Sequence, residues 1–560
     1  ACNGLLTIGL CVSFKKDDNT YVESYNMFRK ELYVYNKLYE LLEENDGDTI
    51  SQDVIDSCIK EFEDRKGFKL EEKQISAINL IKNKVFAIYG LPGGGKTTII
   101  ECCVDILKKE FGDDYEIQFA APTGIASKRL STVTGNKAGT MHSKFKVGLK
   151  INNKEDDRDD RYTVRGDCFV FDEMGMVAVN LLYEIFRKLR NPRIIFSGDI
   201  AQLAPIGKGI PFKDIVSIIP TETLMVSKRS TSDSNIALNN LIISDKSQGY
   251  EIEPLRDGND FCIMECNNDD LPNKVCEIVK GYLDNTIQSK LDSNKYETLA
   301  KLKVEPSEIQ VITPLAQSKF SWGTKQMNMR LQNIFNPRKN FYFKVGNQDG
   351  LELRVGDRVL NKDNSHKFLH YRFDGKCSFT KTWEFGVVNG DIGEILGVIS
   401  ANKCKFFDQT DEEPEDSTFE NADIKDDEEF CEEPNAKFLV VKYDDYVVLY
   451  VCYVNEEYST EVEPVLTGKE LNMLDLAYAL TVHKIQGGQN KLIIFMLGSM
   501  NYNSNFISNN LILTGVTRAR EGEFLIGDVG SSDASTLTKG RKRFQHKDVL
   551  SANSLLYEED

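Results

Sequence analysis

The chain has 560 residues, 41% of them hydrophobic, and a formal net charge of −18 at pH 7. This length exceeds what one hydrophobic core usually supports, so we expect several domains. No long apolar run that could cross a membrane occurs, the first residues lack the basic start of a signal peptide, and thirteen cysteines without a CxxC pair are typical of a reducing compartment. We therefore expect no membrane partner and a cytoplasmic protein, or a nuclear one if its source is eukaryotic or viral.

The N-terminal part of the chain is predicted to be helical. Residues 20–66 have apolar positions at helical spacing, and DGD interrupts this pattern once. From Leu70 onward, short runs rich in Val, Ile and Phe alternate with helical stretches, first as KVFAIYG, EIQFAAP, DCFVFDE and PRIIFSGD, and later as EIQVITP, LAYALTVH, KLIIFML and EFLIGD. Such alternation predicts an α/β protein with two zones of parallel sheet.

The first predicted strand ends in a glycine-rich turn, GLPGGGKT, at Gly90 to Thr97. This fits G-x-x-x-x-G-K-[ST] between a strand and a helix, the context of a phosphate-binding P-loop. Glycine lets bare backbone amides approach an anion, and the helix N-terminus adds partial positive charge. The motif predicts ATP and Mg²⁺ as ligands, with Lys96 on the β- and γ-phosphates and Thr97 on the metal. The nucleotide-binding residues would be Gly90, Gly93, Gly94, Gly95, Lys96, Thr97 and Thr98.

Two further predicted strands end in polar residues that suit a nucleotide site. CFVFDE places Asp172 and Glu173 after an apolar strand, so that Asp172 would organise Mg²⁺ and Glu173 would polarise the attacking water. IIFSGDIAQLAP places Asp199 and Gln202 after the next strand. The Gln202 amide can both donate and accept hydrogen bonds, as a γ-phosphate sensor requires.

The later half of the chain contains a strand-rich, glycine-punctuated region at 341–464, which we interpret as a small β domain inserted into the second α/β zone. Within it, residues 408–433 carry fourteen acids and one lysine, and we predict a disordered acidic loop. The remainder of the chain is close to neutral, which permits a local basic groove.

Two short spacings could indicate a metal site, but the pattern around them does not support one. Cys262 and Cys266 lie four residues apart, as do His366 and His370. No second cysteine pair has zinc spacing, and no glutamate follows the first histidine as in H-E-x-x-H. We interpret these side chains as packed or solvated.

In this order, the P-loop, the DE pair and GDIAQL resemble the motifs of superfamily 1 helicases. KLEEKQISAI at 69–78 resembles their Q motif, APTGIASKRL at 121–130 their motif Ia, and GTMHSKF at 139–145 the Thr-x-His segment that follows it. LTVHKIQGGQ at 480–489 resembles motif V, and LTGVTRARE at 513–521 resembles motif VI. The subgroup that fits best is RecD-like and Dda-like, superfamily 1B, and the resemblance spans residues 70–528 with two interruptions.

The resemblance implies two RecA-like parallel-sheet domains, with a β-hairpin insert (1B) that splits the duplex and an SH3-like β insert (2B). The expected organisation is an N-terminal helical accessory region at 1–66, a first RecA-like domain (1A) at 67–142 and 167–225, the 1B hairpin at 143–166, a second RecA-like domain (2A) at 226–340 and 465–545, the 2B insert at 341–464 and a C-terminal tail at 546–560.

The resemblance also implies residue roles. Gln74 would read the adenine edge, and Arg229 and Arg518 would reach the γ-phosphate from the second domain, beside Lys96, Glu173 and Gln202. Motif V usually has serine in place of Ile485 and an acid near Gln489, so recognition of the nucleotide sugar stays open. Contacts to single-stranded DNA would come from Pro122, Thr123, Thr140, His142, Thr481 and His483.

The activity implied is an ATP-dependent DNA helicase that moves 5′ to 3′ on single-stranded DNA and unwinds duplex or forked DNA. Two alternatives remain open: a nucleotide-switched loader or partner-binding subunit that does not unwind, and an RNA helicase with the same motifs. Replication or repair proteins could bind through the N-terminal region or the acidic loop.

Overall fold

The computed structural model describes most of the chain outside several loops and the C-terminal end. The described residues are 9–16, 19–43, 50–91, 93–147, 163–224, 234–247, 255–316, 320–337, 342–346, 351–362, 370–373, 378–382, 387, 389–400, 405–407, 436–443, 446–455, 459, 465–498 and 508–527. Arg229, residues 148–162 of the predicted 1B hairpin, the acidic loop 408–433 and the tail 546–560 lie outside them.

The first α/β unit is a six-stranded sheet in the order β5-β4-β6-β7-β3-β8, and all its described pairings are parallel. Its strands are β3 (Val85–Gly90), β4 (Ile117–Ala121), β5 (Ala138–Thr140), β6 (Cys168–Phe171), β7 (Arg193–Gly198) and β8 (Thr221–Leu224). Its helices are α3 (Glu72–Asn79), α4 (Lys96–Phe111), α5 (Gly124–Thr134), α6 (Met141–Lys144), α7 (Val179–Phe186) and α8 (Pro211–Ile218). The central strands are apolar without alternation because helices cover both sheet faces.

The N-terminal region packs directly onto this first unit. It consists of a hairpin, β1 (Cys11–Lys16) with β2 (Asn19–Ser24), and the helices α1 (Tyr25–Glu43) and α2 (Gln52–Lys66). Val34 and Leu38 of α1 share a core with α7 and one sheet face, whereas Ile55 and Phe62 of α2 share a core with α4 and the opposite face. The prediction of helix from residue 20 was wrong for residues 20–24, because their backbone pairs with β1 before the helix begins at Tyr25.

The second α/β unit is a five-stranded sheet in the order β22-β10-β23-β24-β9, again parallel throughout. Its strands are β9 (Phe261–Glu265), β10 (Ile309–Thr313), β22 (Ala479–Thr481), β23 (Asn490–Leu497) and β24 (Ala519–Gly527). Its helices are α9 (Asn235–Ser247), α10 (Leu271–Leu283), α11 (Glu297–Lys301), α12 (Thr324–Phe335) and α13 (Asn509–Val516). The predicted fold class, α/β with two RecA-like parallel sheets, is confirmed.

The region between β10 and β22 forms a third sheet of eleven strands, most of whose pairings are antiparallel. Two pairings in it, β11 with β20 and β15 with β17, are parallel. The strands are β11 (Tyr342–Val345), β12 (Glu352–Arg354), β13 (Arg358–Asn361), β14 (His370–Phe373), β15 (Ser378–Thr382), β16 (Ile392–Ser400), β17 (Lys405–Phe407), β18 (Ala436–Tyr443), β19 (Tyr446–Val454), β20 (Val465–Thr467) and β21 (Leu474–Leu476). Its assignment as an SH3-like 2B insert stays a prediction.

No helix among the described residues has the length and apolar character needed to cross a membrane. Within the same residues, no three His, Cys, Asp or Glu side chains come together in a way that could hold a metal ion.

Candidate nucleotide site

A cavity of about 460 Å³ opens where the carboxyl ends of β3, β6 and β7 face the second α/β unit. Three predicted motifs of the first unit converge there, and the predicted motif VI arginine enters from the second. The cavity is lined by Phe68, Gln74, Gly93, Gly95, Lys96, Thr97, Thr98, Arg129, Val133, Asp172, Glu173, Gln202, Gln489 and Arg518. Because ligands of parallel α/β sheets bind at the carboxyl ends of strands, this is the candidate site of the protein.

The P-loop is shaped by glycines that no other residue could replace without strain. Gly95 has φ 86°, and a Cβ there would collide with the Gln74 side chain. Gly90 has φ 148°, and a Cβ would collide with the Leu224 carbonyl. Lys96 then begins α4, and its Nζ donates to the carbonyl oxygens of Gly90 at 2.6 Å and Leu91 at 3.0 Å. The loop therefore presents backbone and a helix N-terminus to the cavity.

Burial and neighbouring carboxylates act on Lys96 in opposite directions. Burial lowers the pKa of its ammonium, and the carboxylates of Asp199, Glu173 and Asp172 oppose this shift. The cavity therefore contains closely spaced charges of opposite sign that are partly removed from water. Electrostatic interactions are stronger in such an environment than in water.

The predicted metal-binding and general-base residues lie at the carboxyl end of β6. Burial raises the pKa of the Asp172 carboxyl, and the adjacent carboxylate of Glu173 raises it further. Glu173 has φ 53°, the left-handed region that non-glycine residues seldom adopt. Backbone strain of this kind concentrates at functional sites, since surrounding structure must hold it in place.

A hydrogen-bonded chain links the two α/β units across the cavity. The Asp199 carboxylate accepts from the Ala201 backbone amide at 2.9 Å and from the Gln202 side-chain amide at 3.0 Å. Gln202 Oε1 in turn accepts from Arg518 Nη2 at 3.0 Å. Burial lowers the pKa of Arg518 to about 10, so its guanidinium stays charged at neutral pH.

The same segment docks on helix α13 of the second unit. The Leu203 amide donates to Thr514 Oγ1 at 2.9 Å, and Asn510 Nδ2 donates to the Ala201 carbonyl at 2.7 Å. Ala201 and Leu203 are buried in the hydrophobic cluster that α13 forms with its sheet. The loop after β7 is therefore part of both units.

Gln74 is held between the start of α3 and the P-loop. Its side chain is only 2% exposed, its Oε1 accepts from the Glu71 amide at 3.1 Å, and its Nε2 donates to the Gly94 carbonyl at 3.4 Å. Both polar ends thus serve the start of α3 and the P-loop. Reading of an adenine edge by Gln74 stays a prediction.

Three cavity residues were missed by the sequence analysis: Phe68, Arg129 and Val133. Phe68 directly precedes the predicted Q motif. Arg129 and Val133 stand one helical turn apart on α5, so they share a face. Arg129 lies within the quoted APTGIASKRL segment, and its charge beside a predicted phosphate site was the available signal.

The residues predicted to contact DNA sit at the carboxyl ends of neighbouring strands. Pro122 and Thr123 follow β4, Thr140 ends β5 in register with Ala121, and Thr481 ends β22 in register with Thr313. The threonine hydroxyls accept backbone amides: Thr123 from Ala126 and Thr140 from Ser143, each at 3.2 Å, and Thr481 from Lys484 at 3.3 Å.

The two histidines follow two of these threonines, with His142 in α6 and His483 after β22. Burial lowers the pKa of His142, which favours its neutral form. The loop at 487–488 approaches α5, since a Cβ on Gly487 would stand 3.3 Å from Thr123 Oγ1. Thr123 and the motif V segment therefore meet, whereas DNA contact by all six residues stays a prediction.

Family models match two parts of the chain: an AAA domain over residues 74–208 and a UvrD-like helicase C-terminal domain over residues 476–526. The chain is 25% identical over 485 residues to the ATP-dependent RecD2 DNA helicase of Deinococcus radiodurans, covering 86% of this chain and 51% of that protein. It is 22% identical over 537 residues to the RecBCD enzyme subunit RecD of Buchnera aphidicola, covering 89% and 78% respectively.

An uncharacterized protein of Methanocaldococcus jannaschii is 25% identical over 505 residues, 82% of this chain and 38% of its own. The chain thus spans about half or less of the length of two of these relatives. Among solved structures, the Pif1 helicase from Candida albicans covers 82% of this chain and 94% of its own, with a TM-score of 0.44 at 16% identity. The segment of the AAA domain model includes the P-loop, the DE pair and GDIAQL, and the segment of the UvrD-like model includes the motif V and motif VI segments.

Proposed function

We propose that this chain, a RecD-like helicase of superfamily 1B by its sequence, is an ATP-dependent DNA helicase that moves 5′ to 3′ on single-stranded DNA and unwinds forked duplexes. One observation carries the proposal. Lys96, Asp172 and Glu173 of the first α/β unit share one cavity with Arg518 of the second. A site divided between two units can change their relative position during a cycle of nucleotide binding and hydrolysis, which is what a stepping motor requires.

The residues of the cavity fit a Mg²⁺–ATP complex. Thr97 at the start of α4 and the buried Asp172 carboxylate supply the oxygen ligands that Mg²⁺ prefers, and Lys96 stands beside them for the phosphates. The metal would neutralise phosphate charge when bound. The raised pKa of Asp172 is a cost of burying two acids together, and a bound cation would relieve it.

Hydrolysis would be divided between the two units. Glu173 would accept the proton of the attacking water, because it lines the cavity together with Lys96 and Asp172. Arg518 would stabilise charge on the γ-phosphate, as arginines supplied from a second domain do in related phosphoryl-transfer sites. Gln202, which bonds Arg518, would register whether the γ-phosphate is present. Arg229 would act beside Arg518, although it lies outside the described residues.

Single-stranded and forked DNA are the proposed partners, bound at the strand ends that carry Thr123, Thr140 and Thr481. The 1B hairpin would act as the pin that splits the duplex. The residues that flank its central part are anchored: the Lys188 ammonium donates to the Phe145 carbonyl at 2.7 Å, and the Val164 amide donates to the Lys188 carbonyl at 3.0 Å. A deletion that tests the pin should therefore remove only residues 148–162.

The test compares ATPase and unwinding rates on substrates with a 5′ or a 3′ single-stranded tail, with an RNA oligomer as a second stimulant. We expect DNA-stimulated ATPase, unwinding from the 5′ tail, and weaker stimulation by RNA. The variant with residues 148–162 replaced by a short Gly-Ser turn should keep the ATPase and lose unwinding. ATPase without unwinding in the wild type would support the loader instead, and unwinding from a 3′ tail would contradict the proposed polarity.

A further inference from the structure

Arg129 is the charged cavity residue that none of the predicted roles uses. It lies on α5 in the first α/β unit, half-buried, and it lines the cavity together with Lys96, Asp172 and Arg518. Its surroundings are therefore those of the phosphate end of the predicted site. Val133, one turn further along the same helix face, continues the wall of the cavity.

The three cations of the cavity differ in how they are held. Lys96 Nζ donates to two carbonyl oxygens of its own loop, at 2.6 and 3.0 Å. Arg518 donates from Nε to the Thr514 carbonyl at 2.7 Å, from Nη1 to the Gly488 carbonyl at 3.2 Å and from Nη2 to Gln202 Oε1 at 3.0 Å.

The Arg129 guanidinium, by contrast, forms no hydrogen bond or ion pair with any described residue, although it carries five donors. A half-buried guanidinium that lines a cavity can offer its donors to an anion that enters it, and such charge-assisted hydrogen bonds are stronger than neutral ones. The Arg129 charge acts on its neighbours, since it lowers the pKa of Lys96, Asp172 and Arg518. A planar guanidinium with parallel donors matches the oxygens of a phosphate.

Lys128, the residue before Arg129 on α5, does not face the cavity. Lys128 points away from the cavity to the third sheet, where its Nζ stands 3.4 Å from an Asp391 carboxylate oxygen and 5.6 Å from the centroid of the Tyr446 ring. Two consecutive cations on one helix thus face different surroundings, one already paired and one open to the cavity.

We propose that Arg129 binds the γ-phosphate of the nucleotide from the side of α5, as a substrate contact additional to Lys96 and Arg518. The inference rests on the proposed function of the cavity as a nucleotide site. Because its donors need not break a protein hydrogen bond first, Arg129 would engage the γ-phosphate on binding, before Arg518 is released from any of its partners. It would therefore contribute to affinity for the triphosphate rather than to turnover.

The experiment measures the affinity of the full chain for ADP and for a non-hydrolysable ATP analogue, in wild type, Arg129→Ala, Arg129→Lys and Lys128→Ala. We expect Arg129→Ala to weaken binding of the analogue by about 10- to 100-fold, the range of a charge-assisted hydrogen bond, and binding of ADP by less than about 3-fold. Arg129→Lys should restore part of the loss, because it keeps a charge without the planar fork. Lys128→Ala should stay within about 2-fold of wild type.

Arg129→Gln serves as a second variant, with melting curves to establish that each protein is folded. An unchanged affinity for the analogue in Arg129→Ala and Arg129→Gln would overturn the proposal. An equal loss for ADP and the analogue, or an equal loss in Lys128→Ala, would overturn it too. Unwinding by the wild type is measured separately, so a chain that binds nucleotide through Arg129 but does not unwind would contradict the helicase function alone.

Discussion

The two α/β units hold their cavity cations in different ways. Among the described residues, Lys96 of the first unit donates hydrogen bonds to Gly90 and Leu91 of its own loop. Arg518 of the second unit bonds to residues of its own unit and, through Nη2, to Gln202 of the first. Both cations are therefore held within their own unit, but Arg518 also forms a hydrogen bond with Gln202 that exists only in the observed arrangement of the two units.

This difference separates binding from turnover. A P-loop that is assembled locally can receive the phosphates in any arrangement of the two units. An arginine that depends on contact between units can act only when they are together, so it couples chemistry to domain position. The contacts of Leu203 and Ala201 with α13 hold the same boundary. The comparison therefore predicts that loss of the Lys96 ammonium affects nucleotide affinity, and that loss of the Arg518 guanidinium affects the rate of hydrolysis.

The largest effect should follow from Lys96→Ala. The triphosphate would lose a buried point charge that acts on the ground state as well as on the transition state. We expect both nucleotide binding and hydrolysis to fall below detection, measured by equilibrium titration and by phosphate release. Lys108→Ala, an exposed change near the far end of α4, should leave both unchanged. Normal ATP affinity in Lys96→Ala would show that Lys96 does not bind the phosphates, and would contradict the distinction between Lys96 and Arg518.

Arg518→Ala should reduce kcat by about 10³-fold, the lower end of the range for an arginine supplied from a second domain. ATP affinity should change little, because the first unit binds the phosphates. Arg520→Ala is the matched control, since Arg520 is exposed two residues further along. A large loss of ATP affinity with an unaltered kcat would place Arg518 with Lys96 in ground-state binding and break the distinction.

The sequence predicted the local half of this arrangement better than the half that depends on tertiary contact. The P-loop, Asp172, Glu173 and Gln202 follow apolar strands directly, so a short pattern carries both their chemistry and their position. Phe68 and Val133 have no chemical signature of their own, and they reach the cavity only because of how α3 and α5 pack. The two parallel sheets could be predicted from alternation of strands and helices.

Strand pairing between segments that are adjacent in the sequence was harder to predict. The β1–β2 hairpin lies in a stretch whose apolar spacing also fits a helix, and only its antiparallel partner decides between them. The hydrogen bonds that occupy Gln74 could not be predicted either, because they depend on the conformation of the P-loop at Gly94. Residues that a sequence motif marks were predicted, Arg518 among them, whereas Phe68 and Val133, which carry no motif signature, were not.

Glu173→Gln should reduce kcat by about 10²- to 10³-fold while ATP still binds, because the amide keeps the shape of the side chain but cannot accept the proton. The measurement is single-turnover hydrolysis together with nucleotide titration. Glu184→Gln on α7, where Glu184 forms only a surface ion pair with Arg187 at 3.7 Å, is the control. Hydrolysis at the wild-type rate would show that another group takes the proton. This result would sharpen the comparison, because it would show that the first unit contributes to the rate of hydrolysis through Glu173 and to nucleotide affinity through Lys96.

The smallest effect on catalysis is expected from substitution of Glu523, a buried acid of the second unit. This substitution should instead change the stability of the protein. Asp199 of the first unit is buried too, but its carboxylate accepts hydrogen bonds and faces Lys96. Glu523 in β24 is fully buried, and neither carboxylate oxygen has a hydrogen-bond partner among the described residues. Burial raises the pKa of Glu523 well above its usual value, and Asp260 raises it further. The buried carboxylate of the first unit is thus hydrogen-bonded, whereas that of the second has no hydrogen-bond partner among the described residues.

The raised pKa fixes the sign of a pH effect. Between the pKa of Glu523 in the unfolded chain and its higher pKa in the folded protein, the folded state binds more protons. Stability therefore falls as pH rises through this window, by up to about 1.4 kcal/mol per pH unit from this group. Glu523→Gln removes the titration, so its melting temperature should decline less than that of wild type as pH rises above the ordinary pKa of a glutamate, about 4.3. Glu308→Gln is the control, because hydrogen bonding lowers the pKa of Glu308 and its contribution is already constant in this range. Equal dependence of the melting temperature on pH in wild type and Glu523→Gln would mean that the Glu523 carboxyl finds a partner in solution. ATPase activity should be the same in all three proteins, because Glu523 does not line the cavity.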